Sequence, residues 1–192
     1  MDFKNKITKR LVQKELFRGI SSNELLALGG DSPEEYLKVI KNKFKRITLV
    51  DMKYAYSVNI NEFITLKPGL IQRQQPKNVI DCDFCASVDS DGDILLEILE
   101  KMQIKGRKYK KKKSLLFTFS TRTIGGLEYT IDWLDLNLYN NSLFIHAEEK
   151  IVTSQYRGYI RKMIHSQHTF EESLLLRYRD TSNMVSGRIS WH

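Results

Sequence analysis

The stretch Glu24–Asp51, ELLALGGDSPEEYLKVIKNKFKRITLVD, constrains what this chain can fold into more than any other. Glu24–Leu28 is a short apolar run, and Gly29-Gly30-Asp31 follows it as a tight turn. Ser32 is placed to cap a helix, with Pro33 at its first position and Glu35 closing the capping box. Tyr36, Leu37, Ile40 and Phe44 supply that helix with an apolar stripe. Arg46–Val50 then reads as a second strand, whose β-branched and apolar residues suit a buried parallel sheet. Asp51 stands at its end. A ribose-bearing ligand would sit on such a turn, with Asp51 on its hydroxyls. The carboxylate lies 22 residues after Gly29, near the spacing of about 20 seen in nucleotide-binding units. A strand-end Asp that caps a turn is the plainer reading of the same residue.

The rest of the chain continues the alternation. Residues 3–18 form a basic amphipathic helix with Phe3, Ile7, Leu11 and Leu16 at near-helical spacing, and Gly19 as its stop. It packs on the domain or reaches a partner. Phe63–Leu66 reads as a strand, Pro68-Gly69 as a turn, and Asn78–Asp83 as a further strand. Asp91 is expected to cap a helix striped by Ile94, Leu95, Ile98, Leu99 and Met102. Ser114–Ser120 reads as a strong strand, Thr130–Leu138 as a short helix, and residues 151–165 as another helix. The end of the chain, SLLLRYRDTSNMVSGRISW, reads as two strands joined by a polar turn. This order argues for a single α/β domain over residues 1–192. Residues 1–21 would form the N-terminal helix, and 22–192 a Rossmann-like, mostly parallel sheet with helices on both faces and a C-terminal antiparallel hairpin.

Charge narrows the partners. The net charge is +8, and Lys105–Lys113, KGRKYKKKK, holds seven basic residues in nine. Such a block self-repels and belongs on the surface. Lys105, Arg107, Lys108, Lys110, Lys111, Lys112 and Lys113 are candidate phosphate contacts, with Tyr109 able to stack on a base. A solubilising loop or a nuclear-import signal would have the same composition. No apolar run approaches a membrane span of roughly 20 residues. The charged N-terminus lacks a signal-peptide core, so a cytoplasmic or other intracellular protein is expected, nuclear location remaining open. Cys82 and Cys85 form a lone CxxC, too few ligands for a zinc site, so no metal is expected. His165 and His168 are expected near a helix end, interacting with its carbonyls.

Taken together, the element order and the LGGDSP turn resemble the class I S-adenosylmethionine-dependent methyltransferase fold over residues 22–192. In that family a seven-stranded sheet ends in a hairpin whose last strand is antiparallel. The resemblance implies S-adenosylmethionine as cofactor, its methionine part on Gly29, Gly30 and Asp31, its ribose on Asp51, and Met52 lining the adenine pocket. Two of the family's glycine positions are filled here by Asp31 and Pro33. Asp31 then either binds the cofactor's amino group or marks a degenerate pocket. The family's acceptor motif falls on Asp83 and Phe84 within DCDFCAS, Asp83 orienting a target amine and Phe84 stacking a base, although the prolines of that motif are absent. Cys85 lacks the proline that precedes a cytosine-C5 nucleophile. Arg122, in the loop TRTIGG after the Ser114–Ser120 strand, would hold a phosphate or pair with an acidic neighbour. The implied function is methyl transfer to a nucleic acid, DNA or RNA, with a protein partner possible as the source of specificity. A non-catalytic subunit that binds nucleic acid or scaffolds a partner is the alternative, and an ordinary nucleotide-binding domain the third.

Overall fold

The computed structural model of the protein describes residues 7–30, 33–40, 43–106, 112–138, 149–152, 159–165, 172–179 and 182–191. Its strands are β1 (Glu24–Leu28), β2 (Arg46–Asp51), β3 (Val58–Asn59), β4 (Ile64–Pro68), β5 (Val79–Asp83), β6 (Lys113–Ser120), β7 (Glu149–Val152), β8 (Tyr159–His165), β9 (Glu172–Arg179) and β10 (Asn183–Trp191). Its helices are α1 (Ile7–Leu16), α2 (Pro33–Ile40), α3 (Val88–Gly106) and α4 (Gly126–Leu138).

All ten described strands share one sheet, in the order β3-β4-β2-β1-β5-β6-β10-β9-β8-β7. The block β4-β2-β1-β5-β6 is parallel throughout, and β10 enters antiparallel between β6 and β9. The seven strands from β4 to β9, ending in the antiparallel β9–β10 hairpin, match the sheet the resemblance implies, with an added edge strand β3 and an added hairpin β7–β8.

Because β6 lies centrally under helices on both faces, all eight of its residues are buried. Its side chains alternate between two cores. Leu115, Phe117 and Phe119 join Leu26, Ile80, Leu95 and Leu134 beneath α3 and α4. Leu116 joins Leu25, Leu49, Leu16, Phe17 and Ile40 beneath α1 and α2. Each such fully buried apolar side chain contributes roughly 1.5–3 kcal/mol.

The β6–β10 seam also buries hydroxyls, which satisfy each other across the strands: Thr118 Oγ1 to Ser186 Oγ at 2.7 Å and Ser114 Oγ to Ser190 Oγ at 2.8 Å. Between them Gly187 faces Phe117, and a Cβ added there would lie 2.2 Å from the Phe117 Cζ atom. Gly187→Ala is therefore expected to cost about 1–3 kcal/mol or more by overpacking. Urea melts check this, and Phe117→Leu in the same chain should return part of the loss.

Three sequence expectations change. The described residues within 151–165 are strand rather than helix: Val152 closes β7, and 159–165 form β8, paired antiparallel to β9 with Met163 opposite Leu175 and Ile164 opposite Leu174. Local helix propensity yields there to a neighbouring strand that offers an apolar edge. His165 accordingly ends a strand rather than a helix, and His168 lies outside the described residues. Asp91 does not cap α3. The helix starts at Val88, the Ser87 carbonyl accepts the Ser90 and Asp91 amides, and Asp91 lies in the first turn, where a carboxylate suits the helix dipole. Helix α4 starts at Gly126, four residues before the expected Thr130. Ser32 falls outside the described residues, and Pro33 is the first residue of α2 as expected. No described helix is long and apolar enough to cross a membrane.

One long-range contact fixes α1. Arg188 of β10 is buried, and its Nη1 donates to the carbonyls of Leu16 at 2.7 Å and Arg18 at 2.6 Å. The last carbonyls of a helix have no partner within it, and a guanidinium placed there satisfies them and complements the dipole.

Candidate active site

The carboxyl ends of β1, β2, β4 and β5 converge on a cavity of about 590 Å³. Open parallel sheets bind ligands at this edge, and the volume is in the range of small-molecule and cofactor sites.

Gly29 and Gly30, Asp51 and Met52, Gly69 to Gln72, and Asp83 to Cys85 all line it. The two glycines do different work. Gly30 has φ +63 with open space where a Cβ would go, so backbone can approach a ligand there. Gly29 is small for a neighbour instead: an added Cβ would stand 2.0 Å from the Tyr54 hydroxyl, whose ring crosses the turn. The Gly29 amide donates to the Val50 carbonyl at 2.9 Å, tying the turn to the end of β2. Asp31 lies outside the described residues.

Asp51 is half-buried at the cavity wall, and its Oδ1 accepts the Lys53 amide at 2.9 Å. The turn-capping reading therefore describes one of its oxygens. A carboxylate offers about four lone-pair sites, enough to accept further donors from a ligand. Met52 is 72% exposed, so it belongs to the rim and not to the core.

Sequence reasoning missed a buried cation of the cavity lining. Lys9 of α1 is only 3% exposed. Its ammonium pairs with the Asp83 carboxylate and lies 3.2 Å from the Cys85 sulfur. Burial alone would lower the Lys9 pKa. The Asp83 carboxylate and the Cys85 thiol outweigh it and hold that pKa above the ordinary lysine range. Lys9, Val12 and Leu16 follow helical spacing of three and four and are all buried, so a lysine on the buried stripe was the available signal. Of the stripe read through Phe3, Ile7, Leu11 and Leu16, Leu16 is buried and Leu11 packs half-buried against the same core, while Phe3 lies outside the described residues.

Asp83 is thus engaged by α1, and it also accepts from Cys85 Sγ at 3.1 Å. Cys85 is the one described non-glycine residue with positive φ, at 56°. Its thiol is pushed up to about 12, first by burial and then by Asp83, with Lys9 opposing. At neutral pH it stays a thiol, which is unsuited to nucleophilic attack. Phe84 lines the cavity, and its ring is stacked on Phe119 at 5.3 Å and 21°. Beyond Cys85 a smaller hollow of about 200 Å³ runs between Ser87, Ser120, Ser182 and Arg122. Arg122 is exposed at the carboxyl edge, as the loop's position in the sequence led one to expect.

A second buried polar pair lies under the first. Residues two apart on a strand share a face, so Asp81 points to the α1–α2 side like Asp83. There the Tyr36 hydroxyl donates to Asp81 Oδ2 at 2.6 Å. Burial and then the Asp83 charge raise Asp81 to about 7, against the lowering effect of the Tyr36 bond and Lys9. A carboxyl whose folded pKa is raised takes up a proton on folding between the unfolded value and the folded one. Its contribution is therefore full below about pH 4 and is lost as pH rises toward about 7. Stability should fall across that window by an amount on the order of a few kcal/mol. In Asp81→Asn this component of the slope should disappear, as urea melts at a series of pH values will show.

The basic block is expected on the surface as a phosphate contact. It joins the end of α3 to the start of β6, at the amino edge of the parallel strands. The length of β6 sets Lys113, at its start, roughly 23 Å from the cavity edge. Lys113 is not a surface residue at all: it is 5% exposed, and its ammonium donates to the Met102 carbonyl. Lys112 is exposed. Arg107, Lys108, Lys110 and Lys111 lie outside the described residues, and Lys105 is described only as part of α3.

No family model matches the chain, and no curated protein matches it. Among solved structures it is similar to a precorrin-6y methyltransferase of Geobacter metallireducens, at 11% identity and TM-score 0.49, covering 100% of this chain and 92% of that one. It is similar to the N-methyltransferase NodS of Bradyrhizobium japonicum, at 13% identity and TM-score 0.48, covering 98% and 96%. An rRNA methylase of Streptococcus thermophilus is similar at 7% identity and TM-score 0.44, covering 98% and 97%. Likeness of this degree carries no functional weight. The architecture rests on the strand order, and the chemistry on the cavity.

Proposed function

We propose that this protein binds S-adenosylmethionine at the carboxyl edge of its sheet and transfers the methyl group to an acceptor entering past Cys85. The observation that carries this reading is one cavity uniting an open left-handed glycine, a strand-end carboxylate and a buried Lys–Asp pair. The residues fit the group. Gly30 lets backbone approach it, and Asp51 would accept two ribose hydroxyls. The Lys9–Asp83 pair matches a zwitterionic amino-acid end, the ammonium of Lys9 toward its carboxylate and Asp83 toward its amine. When bound, the sulfonium supplies an already activated methyl group. The protein's own part is then positioning and exclusion of water. Because Cys85 is held as a thiol, the transfer we propose is direct, without a covalent enzyme intermediate.

For the acceptor we propose a nucleic acid, with Arg122 on a phosphate beside the smaller hollow. This moves Asp83 from orienting the target amine to holding the cofactor. The separation of the basic block from the cavity favours a second reading, a subunit of the same fold that binds nucleic acid without catalysis. Calorimetric titration with S-adenosylmethionine separates the two. Binding that disappears in Asp51→Ala supports the transferase. A folded wild-type chain that releases no heat with S-adenosylmethionine overturns it in favour of the non-catalytic subunit.

A further inference from the structure

At the amino edge of the sheet, where β1, β2, β5 and β6 begin, lies a groove of about 870 Å³. Four cations line it, Lys43, Lys45, Arg46 and Lys112, and all four are exposed. Among the described residues Glu24 is the one carboxylate in its wall, and its Oε1 is met by Lys77 at 3.2 Å from outside the groove and by Arg46 at 3.9 Å. Field lines from several like charges add in a concave site with low-dielectric walls, so the groove concentrates anions more than the same lysines would on a convex surface.

We infer that this groove is a nucleic-acid anchor, separate from the site of methyl transfer. The inference rests on the nucleic-acid part of the proposed function for its class of partner, but the groove lies at the opposite edge of the sheet from the cavity. Its shape favours a strand over a bilayer, because a planar surface cannot follow cations into a concavity. Its chemistry favours the phosphate backbone over the bases: Phe44, the aromatic residue in the wall, is only 6% exposed and offers no ring face for stacking. Binding here is independent of base sequence, dominated by salt-sensitive phosphate contacts. A nucleic acid held here leaves the cavity open, so the anchor raises the local concentration of acceptor segments without fixing which atom is presented.

The test uses the full chain and a fluorescein-labelled single-stranded RNA of mixed sequence, followed by anisotropy across a salt series. The groove variant carries Lys43→Gln, Lys45→Ser, Arg46→Gln and Lys112→Ser. A single Lys45→Ser chain, with a smaller expected change in the same direction, covers the case in which the fourfold variant is destabilised. Removing four phosphate contacts should flatten the slope of log K against log salt by roughly 2–3 for a single strand. Affinity for S-adenosylmethionine should stay at the wild-type value, whether or not the wild type binds it, so failure of the anchor and failure of the methyl-transfer reading register in different titrations. An unchanged slope in both variants overturns the inference, as does a loss confined to variants of Arg107–Lys111. Loss of binding to phosphatidylserine vesicles with RNA binding intact would assign the surface to membranes and overturn it as well.

Discussion

Replacing Lys9 by methionine should destabilise this protein by roughly 3–5 kcal/mol, the range found when one member of a buried ion pair is removed. The size follows from what is left behind. Asp83 keeps a carboxylate whose side chain is only 14% exposed, next to a second buried carboxyl, Asp81, with the cation that offset both of them gone. Two further chains locate the cause. In Lys9→Met/Asp83→Asn the orphaned charge is removed with its partner, and most of the stability should return, since an apolar or neutral replacement of both members is often nearly neutral. In Asp83→Asn alone, Lys9 becomes the uncompensated group, so that single change should also be costly. Urea melts of the four chains form a double-mutant cycle, and the coupling energy is the readout. If Lys9→Met melts within 1 kcal/mol of the wild type, the pair is not an energetic unit and the charge-matching account of the cavity fails with it.

The second large effect concerns Asp51. Changing it to alanine should weaken S-adenosylmethionine binding by about 100-fold or more. Two hydrogen bonds to a charged acceptor contribute about 1.5–3 kcal/mol each, and every 1.4 kcal/mol is tenfold in affinity. Stability should barely move. Among the described residues its carboxylate accepts the Lys53 amide, in an exposed turn where water replaces that bond, and the backbone bonds of Asp51 survive the substitution. Calorimetry for affinity and thermal unfolding for stability have to be read together. A parallel fall in both would mean that Asp51 holds the turn rather than the ligand. Retained affinity with retained stability would move the ribose elsewhere on the cavity wall.

The half of the molecule that builds the cavity was legible because its signals are local. Glu24–Leu28, the glycine turn, Pro33–Ile40 and Arg46–Asp51 each declare themselves through apolar runs, punctuation and helical spacing. The parallel order then follows from alternation. Gly30 and Asp51 come together for the same reason, since both end strands that point the same way. What stayed hidden depends on partners distant in sequence. The segment YIRKMIH contains residues at home in a helix, and only an open strand edge on β9 makes it a strand. Lys9 reads as one more surface cation of a basic helix until α1 is docked and its buried stripe turns out to pass through Lys9, Val12 and Leu16. Lys113 reads as part of a solvated run until β6 pulls it inward onto the Met102 carbonyl. The placement of the basic block was legible in principle: it follows a helix and precedes a parallel strand, which sends it to the amino edge.

Arg188 gives the site an order of assembly. The contact that secures the end of α1 joins positions 172 and 170 apart in the chain, and closing so large a span is slow compared with forming neighbouring strands. During synthesis the glycine turn, Asp51 and Asp83 emerge well before the strand that pins α1 in place. A chain halted before β10 would expose a cavity whose acidic wall faces no anchored ammonium, and it would hold an amino-acid zwitterion poorly. In pulsed hydrogen exchange, we expect the α1 amides to gain protection after those of β1 and β2; earlier protection would reverse this order. Under the proposed function, late anchoring would act as a checkpoint, the pocket gaining its ammonium only once the far end of the chain has taken its place in the sheet.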